Sequence, residues 1–166
     1  MARTSKNLSS LATRALLLAC AGLPAAATTL GSHGDTIEVV DFYARATLVL
    51  PSGATQPNAE VRGGTVLPGP ITLHLRMKRH SGKAQSVEWR MYRVPENPNA
   101  FDTGLRAVVI QANGDATAST PAAVQYGAYQ FVAVADPQHR FRETRPARTN
   151  NQRAIVLIVA QAPLSN

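Results

Sequence analysis

Apolar and polar residues alternate in two neighbouring segments, and this period of two is the strongest structural signal in the chain. The apolar residues that occupy every second position are Ile71, Leu73, Leu75 and Met77 in the first segment and Val87, Trp89 and Met91 in the second. Successive side chains of a β-strand point to opposite faces of the sheet. Each segment therefore predicts a strand with one buried face and one solvated face.

The connection between these two segments has the length of a hairpin loop and contains Gly82. We therefore predict that the strands pair with each other, with Met77 opposite Val87 and Leu75 opposite Trp89. A slip of one residue would place these side chains on opposite faces, so the alternation specifies the register. Trp89 is the only tryptophan, and we expect it at the centre of the core.

Further segments rich in β-branched residues recur along the chain, separated by Gly, Pro and Asn, and none has a sustained helical period. A second hairpin is predicted around Asn113-Gly114. The last segment is apolar on both faces, so we expect it to be interior or covered. The predicted strands are 37–50 with a break near 41–43, 71–78, 87–92, 105–112, 115–120, 127–135 and 154–161. About seven strands of this kind predict an all-β, antiparallel β-sandwich.

One strand begins in a way that is characteristic of a known architecture. It is entered through Gly127, and Tyr129 follows two residues later. This entry is similar to the tyrosine corner of immunoglobulin-like sandwiches, in which the hydroxyl bonds to upstream backbone. With the strand count, the chain resembles immunoglobulin-like and transthyretin-like sandwiches. The resemblance implies an architecture and no activity.

The amino-terminal residues have the pattern of an export signal. Arg3, Lys6 and Arg14 precede the apolar run 15–23, and Ala25-Ala26-Ala27 supplies small residues for cleavage before Thr28. The apolar run is too short to span a bilayer. We therefore predict a signal peptide over 1–27, a flexible lead-in over 28–36, and one β-sandwich domain over 37–166. The mature protein is expected to be periplasmic or secreted.

The single cysteine, Cys20, lies inside this leader, in a Leu-Leu-Ala-Cys sequence similar to a lipoprotein box. Only a short apolar run separates Arg14 from Cys20, which favours ordinary cleavage over lipid attachment. Cleavage after Ala27 leaves no cysteine, so the domain must be stable without a disulfide.

Catalytic and metal-binding motifs are absent from the sequence. His33, His74, His80 and His139 have no ligand spacing. No serine lies in a nucleophile elbow, and no glycine pattern is followed by the context of a phosphate loop. We therefore expect a protein that is not an enzyme and has no cofactor.

One cluster of basic residues lies on the two alternating segments and in the connection between them. After removal of the leader the formal charge is +4, from 14 basic and 10 acidic residues. If the segments pair, several basic side chains share one outer face, and we predict that they form a contact surface. Its residues are Arg76, Lys78, Arg79, Lys83 and Arg90. Few aromatic residues are interleaved with them, which argues against nucleic acid and for a protein or an envelope polyanion.

These observations favour a binding, structural or accessory module of the cell envelope. Two alternatives remain open at this point. One is a lipoprotein, anchored through Cys20, that serves a secretion or surface assembly. The other is a soluble small-ligand-binding protein, which a pocket lined by Trp89, Tyr92 and Tyr129 would favour.

Overall fold

The structure is a computed structural model that describes residues 37–80, 83–94, 101–111, 114–141, 143 and 148–161. The predicted leader with Cys20, the predicted lead-in 28–36, and His33 lie outside the described residues. Nine strands make up almost all of the described fold, and a 3₁₀ turn at Thr149–Asn151 precedes the last strand. The strands are β1 (Ile37–Val49), β2 (Thr55–Val61), β3 (Gly63–Val66), β4 (Gly69–Arg79), β5 (Gln85–Val94), β6 (Arg106–Ile110), β7 (Asp115–Val124), β8 (Gly127–Ala135) and β9 (Gln152–Val159).

The nine strands form one continuous sheet that folds over itself. Its order is β6-β5-β8-β9-β3-β1-β4-β7, and β2 pairs with β1 beside this path. We refer to β6-β5-β8-β9 as the first layer and to β2-β1-β4-β7 as the second layer. The pairs are antiparallel except β3 with β9, which run parallel and join the layers. The predicted antiparallel, sandwich-like fold is confirmed, and the sheet is nearly closed.

The core lies between the two layers and is filled by the alternating residues that the sequence indicated. Leu73, Met77, Val87 and Met91 are fully buried, and Trp89 is 5% exposed. Arg76, between two of them on β4, is exposed. The prediction that the odd-numbered residues of 71–77 and 87–91 are buried together is therefore confirmed.

Both predicted hairpins are wrong, because consecutive strands enter opposite layers. β4 pairs with β1 on one side and with β7 on the other, whereas β5 pairs with β6 and β8. In the same way β6 pairs with β5 and β7 pairs with β4, so the connection around Gly114 joins the two layers. Short connections with glycine serve a layer crossing as well as a hairpin, and the sequence pattern does not distinguish them.

The sequence also missed two strands, and the structure has nine rather than about seven. β2 contains Pro57 and Asn58, and β3 begins with Gly63 and Gly64, residues that are poor strand formers. β2 forms because it pairs with β1 in a hairpin closed by residues 50–54, where the Leu50 amide donates to the Ala54 carbonyl at 2.8 Å. Asn58 has a positive φ of 51°, which marks a local irregularity of this edge strand.

Several details of individual strands agree with the sequence. β8 spans Gly127–Ala135 as predicted, and Gly127 has a positive φ of 140°, which explains the glycine at this entry. The Tyr129 hydroxyl accepts a hydrogen bond from the Gln125 amide at 3.0 Å, as a tyrosine corner requires. The predicted break of the first strand corresponds to a bulge between Val39 and Asp41.

A buried carboxylate that the sequence analysis did not single out anchors the start of β1. The Ile37 amide donates to Glu143 Oε1 at 2.8 Å, and Asn151 Nδ2 donates to Glu143 Oε2 at 2.7 Å. Glu143 and Asn151 are both buried. Glu143 therefore joins the first strand to the turn before the last one, and no local sequence pattern identifies that role.

Candidate binding surfaces

The five residues of the predicted contact surface do not share one face. Arg76 and Lys78 lie on β4 in the second layer, and Arg90 lies on β5 in the first layer. Arg79 ends β4, and Lys83 lies in the connection between the strands. The predicted single basic face depended on pairing between β4 and β5, so this grouping is wrong.

Arg79 is a structural residue rather than a contact residue, because it is only 4% exposed. Its guanidinium donates to the Lys83 carbonyl and to Gln85 Oε1, the latter at 3.1 Å. It also lies over the Phe141 ring. These contacts hold the crossing between β4 and β5 in place.

Arg90 forms a bidentate pair with Asp102 on the outer face of the first layer. Arg90 Nε donates to Asp102 Oδ1 at 3.0 Å, and Arg90 Nη2 donates to Asp102 Oδ2. The hydrogen bonds from Arg90, and then that from the Gly104 amide, hold the pKa of Asp102 below its usual value. The pair ties segment 101–104 to the edge of β5.

On β4, carboxylates of neighbouring strands oppose the basic side chains. Asp41 lies directly across from Arg76, and Glu38 and Asp115 lie across from Lys78 on the two flanking strands. Opposite charges on paired strands attract each other at short range. The outer face of the second layer is therefore charged but mixed in sign, which weakens the case for an extended polyanion.

This face contains a cavity of about 230 Å³ that spans β2, β1, β4 and β7. The polar residues that line it are Asp41, Tyr43, Glu60, Arg62, His74, Arg76 and Thr117. We refer to it as the outer-face cavity.

Two rows of side chains build the outer-face cavity. In the first row the Arg62 guanidinium lies 5.5 Å from the centroid of the Tyr43 ring, which in turn stacks on His74 at 4.9 Å. The second row is Asp41, Arg76 and Thr117, which are paired across β1, β4 and β7.

Arg62 engages both carboxylates of the lining. Arg62 Nε donates to Asp41 Oδ1 at 3.2 Å and Arg62 Nη2 to Asp41 Oδ2 at 2.7 Å, while Arg62 Nη1 contacts Glu60. These contacts raise the pKa of Arg62, chiefly through the hydrogen bonds to Asp41.

His74 is half-buried, and no hydrogen-bond partner of its buried Nε2 is present among the described residues. Burial lowers the pKa of His74, and the charge of Arg45 lowers it further. Both effects favour the neutral imidazole.

The outer face of the first layer is more apolar, and β9 provides part of it. Because Ile155, Leu157 and Val159 face the core, Val156 and Ile158 face outwards, each 51% exposed. β9 lies between β8 and β3, so its interior position in the sheet is confirmed. Its second apolar face is exposed in the described residues.

The aromatic residues proposed to line a ligand pocket do not meet. Trp89 faces the core, and Tyr92 faces outwards from the same strand. Tyr129 stacks on Phe131 at 5.9 Å, against the core. Tyr92 instead contributes to a shallow groove with Val132 and Ala154.

Three strands have an edge that no other described strand covers, namely β2, β6 and β7. β2 contains Pro57, and β7 contains Pro121, each of which lacks an amide donor. β6 has the sequence Arg-Ala-Val-Val-Ile without a proline. Val109 on β6 is 64% exposed, and Leu105 just before it is 50% exposed. β6 is therefore the one of these three edges without a proline, and its short length and Arg106 are the protection that it has.

Two further features are absent from the part of the chain that the structure describes. No helix there has the length and apolar character to cross a membrane. Histidine, cysteine and carboxylate side chains in the same ranges do not form a group of three that could bind a metal ion.

The described strands and core define the protein as an all-β domain of the sandwich type. Among solved structures it is similar to the CARDB domain of the PF1109 protein from Pyrococcus furiosus. The crystal structure of that domain has 15% identity, a TM-score of 0.48, and coverage of 75% of this chain and 92% of the other. The solution structure of the same domain has 14% identity and a TM-score of 0.49, and the match covers 75% of this chain and 96% of the other.

The C-terminal domain of wzt is similar at 10% identity and a TM-score of 0.41, covering 80% of this chain and 77% of that chain. No family model and no curated protein matches the sequence. At these identities the likeness concerns the fold alone.

Proposed function

We propose that this protein is an exported, non-enzymatic module of the cell envelope that binds an extended segment of a partner protein along β6. The observation that carries the proposal is the contrast among the three open edges. Proline interrupts the amide donors of β2 and β7, whereas β6 offers a short apolar strand without such protection. Strand addition uses the backbone donors and acceptors of such an edge for affinity.

The side chains of β6 support this mode of binding. Val108 and Ile110 are directed to the core side, while Ala107 and Val109 are exposed on the outer side. An added strand would place alternate side chains against Ala107 and Val109, which are small and apolar. The expected partner segment is therefore extended and has apolar residues at every second position.

The experiment is site-specific photocrosslinking in the native envelope, with the full-length protein carrying its leader. The crosslinker is placed at Val109, and the matched control position is Val156, which is also exposed and apolar but lies on β9 within the sheet. We expect a discrete adduct from position 109 and a much weaker one from 156. The crosslinked partner peptide should map to a single segment.

A second variant tests the backbone contribution. Ala107→Pro removes one amide donor from β6, and Ala107→Ser leaves the backbone unchanged. We expect Ala107→Pro to abolish the adduct and Ala107→Ser to retain it, with both variants folded by circular dichroism. Equal adducts from positions 109 and 156, or an adduct that survives proline, would rule out the β6 edge.

Export is the part of the proposal that rests on the leader alone. Mass spectrometry of the mature amino terminus distinguishes the two forms of export, which are cleavage after Ala27 and lipid attachment at Cys20. A terminus at Thr28 supports cleavage after Ala27 and a periplasmic or secreted protein, whereas a lipid-modified Cys20 supports an anchored protein. A cytoplasmic protein that retains Met1 or Ala2 would contradict export.

A further inference from the structure

We propose that the outer-face cavity is a binding site for a small organic oxyanion, a carboxylate or a phosphate, with the Arg76 guanidinium as its principal contact. This site lies on the layer opposite to β6 and is independent of strand addition. The inference starts from the way charge is distributed among the residues that line the cavity.

Arg76 is the cation of the lining that no carboxylate engages in the described residues. Asp41 is its cross-strand neighbour, yet both oxygens of Asp41 accept hydrogen bonds from Arg62. Glu60 is also engaged by Arg62. Two carboxylates therefore converge on one arginine, and the guanidinium of Arg76 keeps its donors available.

The contact of Arg62 with Asp41 reduces the main objection to an anion at this place. A free carboxylate beside Arg76 would repel an oxyanion, but Arg62, which also contacts Glu60, compensates part of the charge of Asp41. The same guanidinium has a planar pair of donors that matches a carboxylate or a phosphate group. Arg76 can therefore bind an oxyanion without displacing an existing ion pair.

Neighbouring groups add polar contacts around that position. Thr117 on β7 lies directly across from Arg76 on β4 and lines the same cavity, so its hydroxyl is available as a donor. His74 lies two residues before Arg76 on β4, on the same face of the strand, and it also lines the cavity. Next to the cluster of Arg62, Asp41 and Glu60, the lining thus offers the guanidinium of Arg76 and the hydroxyl of Thr117.

The size and shape of the cavity limit the ligand class further. A volume of about 230 Å³ corresponds to about seven or eight water molecules, so there is room for an oxyanion carried on a compact body. The Tyr43 ring is covered on its two sides by Arg62 and His74. Neither face of the Tyr43 ring is therefore available for stacking a neutral sugar ring, which favours recognition by charge.

Calorimetric titration of the mature protein with three matched probes tests this site. Glucose is neutral, glucuronate adds a carboxylate to the same ring, and glucose 6-phosphate adds a phosphate. We expect saturable binding of at least one charged probe and none of glucose. Preference between the two charged probes identifies which oxyanion the site takes.

Substitutions assign the binding to Arg76. Arg76→Gln should weaken the charged probe about tenfold or more, because it removes a charge-assisted contact, and Arg76→Lys should recover part of the loss. Lys83→Gln is the matched control, since Lys83 is exposed and lies outside the lining. Thermal unfolding of each variant confirms that it is folded.

Three results would overturn the proposal. The first is the absence of saturable binding of either charged probe at millimolar concentrations. The second is glucose binding as tight as that of glucuronate, which would indicate recognition of the ring. The third is an equal loss in Lys83→Gln and Arg76→Gln, which would indicate general electrostatic attraction.

Discussion

The guanidinium of Arg79 lies over the ring of Phe141, 5.3 Å from its centroid. Arg79 closes β4 just before the chain crosses to the other layer, and Phe141 lies in the connection that leads to β9. Both side chains are buried. A charge that was expected on the surface is therefore part of the packing that holds the two layers together.

Arg79→Ala should destabilise the domain by about 2–4 kcal/mol, because it removes hydrogen bonds to a charged group and a cation–π contact. Arg76→Ala, three residues earlier on the exposed face, should change the stability by less than about 0.5 kcal/mol. Urea unfolding followed by circular dichroism measures both. Equal effects of the two substitutions would contradict a structural role for Arg79.

Trp89→Ala should cost about 3–5 kcal/mol, since it leaves a cavity between the layers. Trp89→Phe should cost clearly less, because the indole Nε1 has no partner among the described residues and no hydrogen bond is lost. Circular dichroism is the appropriate signal, since Trp89 is the only tryptophan. A phenylalanine variant as unstable as the alanine variant would show that the indole nitrogen has a partner.

Glu143→Ala should destabilise the domain by about 2–4 kcal/mol, because the Ile37 amide and the Asn151 amide group each lose a buried acceptor. Glu143→Gln should have an intermediate effect on the free energy of unfolding. The glutamine oxygen still accepts from the Ile37 amide, while its amino group faces the Asn151 amino group, which is also a donor. Hydrogen exchange is the second measurement. The Ile37 amide should exchange faster in the alanine variant, and unchanged protection would contradict the contact.

His74 should make the stability of the domain fall as the pH falls. Its pKa is lowered in the folded state, so below the ordinary histidine pKa the unfolded chain binds a proton that the native chain does not. The stability that the neutral imidazole contributes is fully present above the ordinary histidine pKa. It is lost as the pH falls from that value through the lowered pKa. The difference in unfolding free energy between the natural protein and His74→Gln, measured at pH 7.5 and pH 5.5, isolates this effect. A difference independent of pH would contradict it.

The Arg90–Asp102 pair should act in a more acidic range. Because the pKa of Asp102 is lowered by Arg90, the pair contributes stability above the ordinary aspartate pKa and loses it as the pH falls through the lowered value. Asp102→Asn should therefore destabilise the domain modestly at pH 7 and have less effect near pH 3. Urea unfolding at the two pH values measures this, and an equal effect at both would contradict the pair.

Much of the local structure could be read from the sequence. The exposure of alternating residues on β4 and β5, the limits of β8, the tyrosine corner and the bulge near Asp41 all follow from patterns within a few residues. The candidate sites were harder to predict from the sequence. The outer-face cavity depends on side chains from four strands, and Asp41 and Arg62 are brought together across 21 positions of the chain.

The sequence by itself determined that the chain forms strands and which side of each strand is buried, because side-chain direction in a strand alternates with a fixed period of two. Only the tertiary structure decided which strands are neighbours. The connection after β4 is short enough for a hairpin, yet β4 pairs with β7 along Gly69–Lys78 and with β1 on its other side. Pairing depends on contacts between residues far apart in the chain, and no local pattern records them. The positions of Arg76, Arg79 and Arg90 follow from that choice.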